Sequence, residues 1–187
     1  ELVPLEQLEG LPALSLPPDE QWAYAIRRFD RAGGGKIHME DLAQVMNVRA
    51  NDKYGRTNYE TLGRILDAEL LNDAHLKNWS LLYPDRRTPI LAPAYDLLFT
   101  QVYVEGEDGL ALNLAKNKHY YDFSLDHWRR FAEKTGLDEK QVLGAVREVV
   151  DNARATWPHL LETLPMVPEH KERLIEHWAR LRPEFRI

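Results

Sequence analysis

The stretch Asn72-Asp73-Ala74-His75-Leu76-Lys77-Asn78-Trp79-Ser80-Leu81-Leu82-Tyr83-Pro84-Asp85-Arg86-Arg87-Thr88-Pro89-Ile90-Leu91-Ala92-Pro93-Ala94-Tyr95-Asp96-Leu97-Leu98 decides how this chain is read. Trp79 to Tyr83 alternates as a strand, Pro84 to Thr88 reads as a turn, and Ile90 and Leu91 return. A hairpin of this kind carries the Asp96 carboxylate back toward Asn78.

Asp73 and Asn78 stand in the spacing D-x-x-x-x-N, that of a kinase catalytic loop. Phosphoryl transfer needs a carboxylate that accepts the proton of the attacking hydroxyl, and oxygen ligands that hold magnesium against the phosphates. A short loop with an Asp at one end and an Asn amide oxygen at the other serves both, and Asp96 completes the metal site. On spacing alone, the reading of Asp73 or Asn78 as turn residues is the stronger. The surrounding residues change that weighting.

Asp73-Ala74-His75-Leu76-Lys77-Asn78-Trp79-Ser80 resembles the D-x-H-x-K-N-[FW]-S signature of HipA-like kinases, and Ala92-Pro93-Ala94-Tyr95-Asp96-Leu97-Leu98 resembles their S/A-P-x-Y-D motif. Arg28-Phe29-Asp30-Arg31 and His38-Met39-Glu40-Asp41 resemble the upstream E-R-F-D-R and H-x-E-D pair, in the same order. The resemblance implies a protein-kinase-like carboxyl lobe, mainly helical with small β-hairpins, an α+β class. It implies an ATP- and magnesium-dependent protein serine/threonine kinase of a type II toxin-antitoxin system, with Asp73 as catalytic base and Asn78 and Asp96 as metal ligands. By the same carry-over His75 and Lys77 line the nucleotide phosphates, Tyr95 sits beside the metal site, and Arg27, Arg28 and Phe29 form the hinge that contacts adenine. Arg27 stands where the family usually has Glu, which leaves the backbone hinge contacts and removes a side-chain contact. The D-F-G tripeptide of protein kinases is here Asp96-Leu97-Leu98, without its aromatic switch and glycine. The implied partners are a helix-turn-helix antitoxin of HipB type and a protein substrate such as an aminoacyl-tRNA synthetase, with DNA reached only through the antitoxin. The alternative is a non-catalytic kinase-like lobe that docks an antitoxin or another partner.

A complete kinase also needs a glycine-rich loop, a phosphate-pairing lysine and a helix glutamate. None is visible, and the first lysine is Lys36, already past the hinge-like segment. The amino-terminal kinase lobe is therefore expected before Glu1. A helical stretch that the family carries ahead of the catalytic loop is expected to be missing near residues 67 to 71.

Around this centre the chain of 187 residues is expected to form one unit: lead-in and hinge-like strands over 1–38, the catalytic and metal-binding segment over 39–105, and a helical part over 106–187. Residues 1–20, with four prolines, read as an irregular lead-in. Gln21 to Arg31 reads as a strand with Trp22, Tyr24 and Ile26 on one bulky face, and Gly33-Gly34-Gly35 as a hairpin turn before a return at Ile37 and His38. The glycines lack the spacing of a phosphate loop. Met39 to Asn47 reads as a short amphipathic helix. Thr57, with Glu60, is expected to cap a second, whose buried stripe is Tyr59, Leu62, Ile65 and Leu66.

Gly106 to Lys118 is the one candidate internal boundary. Beyond it, Ser124 opens a helix ended by Gly136, Asp138 with Gln141 opens another that Pro158 should stop, and Pro168 starts a third. Val142, Leu143, Val146, Val149, Val150 and Ala153, and then Leu174, Ile175, Trp178 and Leu181, are the expected inward stripes.

A net charge of −6 spread over both halves gives no electrostatic case for broad nucleic-acid binding. The absence of cysteine excludes thiol chemistry, and no apolar run reaches the roughly 18 residues of a membrane span, so a cytoplasmic protein is expected. His170 and His177 share a helical face without a third ligand, which argues against zinc.

Overall fold

The computed structural model describes residues 1–10, 21–53, 57–66, 76–96, 100–102, 106 and 108–187. Asp73 and His75 lie outside the described residues, as do Leu97, Leu98 and the lead-in prolines Pro12, Pro17 and Pro18.

Part of the lead-in is regular. Leu2–Pro4 (β1) pairs antiparallel with Trp22–Tyr24 (β2), with Pro4 at the strand end opposite Trp22. The strand expected over residues 21–31 is only three residues long here, and its bulky face is open: Tyr24 is 72% exposed, and Trp22 and Ile26 are exposed with it. A two-stranded ribbon has no layer to cover that face.

Arg31–Ala32 (β3) pairs with Gly35–Lys36 (β4) around Gly33 and Gly34, whose φ values of 55° and 78° suit a two-residue hairpin loop. The glycine turn is as expected, with the return strand two residues earlier than Ile37 and His38.

His38–Asp41 (β5) is extended, which halves the helix expected over residues 39–47 to Leu42–Val45 (α1). Pairing with a distant strand wins over the local helical pattern. Asp41 becomes the helix cap: its carboxylate accepts from the Gln44 amide at 2.8 Å, and the Gln44 side chain accepts from the Asp41 amide at 2.9 Å.

The second helix, Tyr59–Leu66 (α2), is capped by Asn58 and not by Thr57. The Thr61 amide and hydroxyl both donate to Asn58 Oδ1 at 2.9 Å. Glu60 has no capping duty and crosses to another element. Tyr59 and Leu62 are buried as expected.

Ser80–Tyr83 (β6) pairs antiparallel with β5 and with Ile90–Leu91 (β7), in the order β5-β6-β7. The turn between β6 and β7 is held by the Asp85 carboxylate, which accepts from the Arg87 amide at 2.9 Å and from the Thr88 amide and hydroxyl at 2.7 and 2.8 Å. These bonds, the one to the Thr88 amide foremost, hold the Asp85 carboxyl down to about 2.

Residues 109–119 are core and not a boundary. Gly109–Leu114 (β8) pairs with Asn117–His119 (β9), and Leu110, Leu112 and Leu114 are buried beside Leu42, Tyr59, Leu76 and Trp79. The turn residues Ala115 and Lys116 both have positive φ, 49° and 68°, at a cost of roughly 1 kcal/mol each. Glu60 Oε1 steadies that turn, accepting from the Ala115 amide at 2.9 Å and from Lys134 Nζ at 3.2 Å.

Three helices complete the chain: Leu125–Thr135 (α3), Glu139–Thr163 (α4) and Pro168–Arg180 (α5). Gly136 ends α3 at φ 81°, and the Gln141 amide donates to Asp138 at 2.8 Å. Pro158 does not stop α4. The bond it forfeits is the one to the Arg154 carbonyl, and both residues sit on the exposed side, where an unpaired carbonyl is open to solvent. Buried Leu161 and the Trp157–Trp178 ring contact, centroids 6.1 Å apart, hold the last turns against α5. Val149 and Ile175, expected inward, are each 53% exposed. Among the described residues no helix is long and apolar enough to cross a membrane.

Candidate functional site

The site grows out of the β5-β6-β7 sheet. Before β6 the chain makes a 3-10 turn over Leu76–Asn78, anchored by fully buried Leu76 and by the Trp79 carbonyl, which accepts from the Leu42 amide at 2.8 Å. After β7 the Ala92 amide donates to the Ser80 carbonyl at 2.8 Å, extending the hairpin contact and returning the chain alongside the turn.

The hairpin does what its sequence predicts: Asn78 Nδ2 donates to Asp96 Oδ2 at 2.9 Å and to the Asp96 carbonyl at 3.3 Å. Asn78 is only 7% exposed, and its Oδ1 is buried with no hydrogen-bond partner among the described residues. An unpaired buried amide oxygen costs about 1–3 kcal/mol, and it is the kind of hard, neutral donor that a divalent cation takes. Asp96 beside it is exposed and holds a left-handed φ of 57°, uncommon for a residue with a side chain. The donor types, an amide oxygen and a carboxylate, suit a magnesium ion, although as folded it is the amide Nδ2 and not Oδ1 that faces Asp96.

Tyr95 Oη donates to the Lys77 carbonyl at 2.6 Å and lies 2.6 Å from Ser80 Oγ. Burial pushes the Tyr95 phenol above its ordinary value. The Ser80 hydrogen bond opposes this shift, and the Asp41 and Asp96 carboxylates add to it. The Tyr95 ring also meets Phe29, centroids 5.6 Å apart, so one of the residues expected in the hinge packs against the neighbour of Asp96.

Arg27 and Arg28 are exposed. The Arg28 guanidinium is engaged by Asp30, Nε to Oδ1 at 2.8 Å and Nη2 to Oδ2 at 2.7 Å, and Arg31 adds a further ion pair to the same carboxylate. Asp30 is 2% exposed, and the Arg28 hydrogen bond, against the opposing effect of burial, holds its carboxyl down to about 2. The Arg28 guanidinium is thus committed to Asp30. Lys77 is exposed at the edge of the site.

Reading the sequence gave Ser80 no role. The signal was present: β6 buries alternate residues, and Ser80 is a hydroxyl at an inward position with Leu82.

Comparison with known proteins agrees with this architecture. The HipA from Shewanella oneidensis MR-1, solved with HipB and its operator DNA, superposes with a TM-score of 0.64 at 18% identity, over 82% of this chain and 47% of that one. Two proteins of Sinorhizobium fredii are similar in sequence. "Putative kinase Y4dM" is 40% identical over 95% of this chain and 48% of its own length, and "Putative kinase Y4mE" is 30% identical over 73% and 39%. The chain thus spans half or less of these relatives. The expected mix of helices and small antiparallel sheets holds. The profile described as HipA-like C-terminal domain matches residues 9–70 and 71–157, and the chain belongs to that family.

Proposed function

We propose that this chain is the magnesium-binding lobe of an ATP-dependent protein serine/threonine kinase of a type II toxin-antitoxin system. The observation that carries the reading is the meeting of Asn78 Nδ2 and Asp96 Oδ2 at 2.9 Å, with the Asn78 amide oxygen buried and unpaired among the described residues. Magnesium bound there supplies charge neutralisation at the phosphates of ATP. Asp73, five residues before Asn78, takes the proton as the acceptor hydroxyl attacks the γ-phosphorus and the bond to ADP breaks. His75 and Lys77 lie along the phosphates, and the backbone of residues 27–29 flanks the adenine. The roles of Asp73 and His75 rest on the sequence signature alone.

The likeness to a HipA solved with HipB supports a HipB-like antitoxin as partner, with DNA reached through it. The resemblance supports a translation factor such as an aminoacyl-tRNA synthetase as substrate, and the cytoplasm as location. The test is magnesium-dependent transfer of labelled γ-phosphate to serine or threonine by the protein that carries this chain. Asp73→Asn should abolish it, and retained transfer overturns the proposed base.

A second reading, a non-catalytic lobe that docks the antitoxin, draws on exposed Trp157, Leu160, Leu164 and Ile175. Absence of magnesium-ATP binding together with tight antitoxin binding would favour it.

A further inference from the structure

The Tyr95 hydroxyl is tied on both sides. It has one proton, and that proton goes to the Lys77 carbonyl at 2.6 Å, so Ser80 Oγ, also 2.6 Å away, must be the donor on its other side. Ser80 is 1% exposed, and this bond satisfies its hydroxyl inside the sheet. Three segments meet at one phenolic oxygen: the turn that ends in Asn78, the first residue of β6, and the loop whose next residue is Asp96.

We infer that Ser80 and Tyr95 are positioning residues: their hydroxyl chain fixes the Asn78 turn against the Asp96 loop, so that the two side chains are held together before a cation arrives. Neither hydroxyl is a ligand or a proton carrier in the reaction. Two features require such a clasp. Asp96 keeps a left-handed backbone conformation that is uncommon for a residue with a side chain, and among the described residues the Asn78 amide is held on one side only, by Asp96 itself. The Phe29 ring against Tyr95 extends the clasp to the hinge segment, so the nucleotide side and the metal side share one support. This inference rests on the reading of Asn78 and Asp96 as metal ligands.

The test separates the two claims by using the protein that carries this chain, isotope-labelled, with Mn²⁺ alone as the metal probe. The side-chain amide resonances of Asn78 report its pose without metal, and water-proton relaxation reports Mn²⁺ affinity. Tyr95→Phe should move the Asn78 amide resonances and weaken Mn²⁺ binding about fivefold, the effect of one hydrogen bond. Ser80→Ala, which spares the Tyr95 to Lys77 bond, should move them in the same direction by less, and it serves as the readout should Tyr95→Phe disturb the whole spectrum. Asp96→Asn should remove Mn²⁺ binding. Unchanged Asn78 resonances in both hydroxyl variants overturn the clasp whatever the metal does. Wild-type Mn²⁺ affinity in Asp96→Asn overturns the metal reading and leaves the amide resonances to decide the clasp.

Discussion

The helical end, residues 124–187, and the sheet that carries the site, residues 38–96, follow opposite rules. In the helical end the helix boundaries are set by local signals: caps within three residues of the helix they open, a glycine past the end, and stripes of moderate burial that leave Val149 and Ile175 in solvent, with Arg154 on the exposed surface reaching the Pro183, Glu184 and Arg186 carbonyls. In the sheet end, polar atoms of the site itself are tied to partners far along the chain, as with Asn78 to Asp96 or Tyr95 to Lys77. A region built on local rules absorbs substitutions one at a time. A region built on distant ties passes each loss to its partners, as a site that must hold two oxygens in place requires.

The largest effect should come where the two regions meet. Phe131 of α3 packs so close to α2 that a Cβ on Gly63 would lie 2.7 Å from its ring. Phe131→Ala should cost about 3–5 kcal/mol in denaturant unfolding. A loss under 1 kcal/mol would mean that the helical end is not docked on the rest. Pro158→Ala should raise stability by about 1–3 kcal/mol, because restoring a hydrogen bond on an exposed helix face follows propensity alone. A lowered melting temperature would break the comparison by making that proline a packing residue. Glu60→Gln should cost about 1–2 kcal/mol, since it weakens charge-assisted bonds to Ala115 and Lys134 in a buried position. No change would remove one of the distant ties.

The smallest effect concerns pH. His177 sits against Tyr120 and Tyr121, and burial, helped by Arg180, pushes it from 6.5 down to about 4, with Asp108 opposing. Its folded value lies below its unfolded one, so the unfolded chain binds the extra proton first. Stability should therefore fall as pH is lowered from about 6.5 toward 4. Denaturant midpoints that stay level over this range in wild type, or that fall equally in His177→Gln, would remove histidine as the cause.

What could be read in the sequence divides along the same line. The start of α3 and its end at Gly136, the Pro168 start of α5, the Gly33-Gly34 turn and the β6–β7 hairpin were all legible, because each is fixed by residues within a few positions of itself. The β5 strand hidden in an apparent helix, the transfer of capping from Thr57 to Asn58, and the passage of α4 through Pro158 were not. Each depends on a partner that periodicity does not name: β6 for the first, the β8–β9 turn drawing Glu60 away for the second, and α5 packing for the third. At the site, the approach of Asn78 to Asp96 was legible from the hairpin. The engagement of Arg28 by Asp30 and the part of Ser80 were not, because both depend on side-chain geometry that only the folded chain supplies.

The turn at Ala115 and Lys116 has a consequence for how this protein can change over time. Two side-chain-bearing residues occupy a backbone shape that suits glycine, and a carboxylate from another helix steadies them. Glycine at position 115 would relax the turn and lessen its need for Glu60, after which that acid could drift to other residue types. In the reverse order, losing Glu60 first, the lineage would pass through a weakened intermediate. The permitted history of one position is written in the dihedral angle of another.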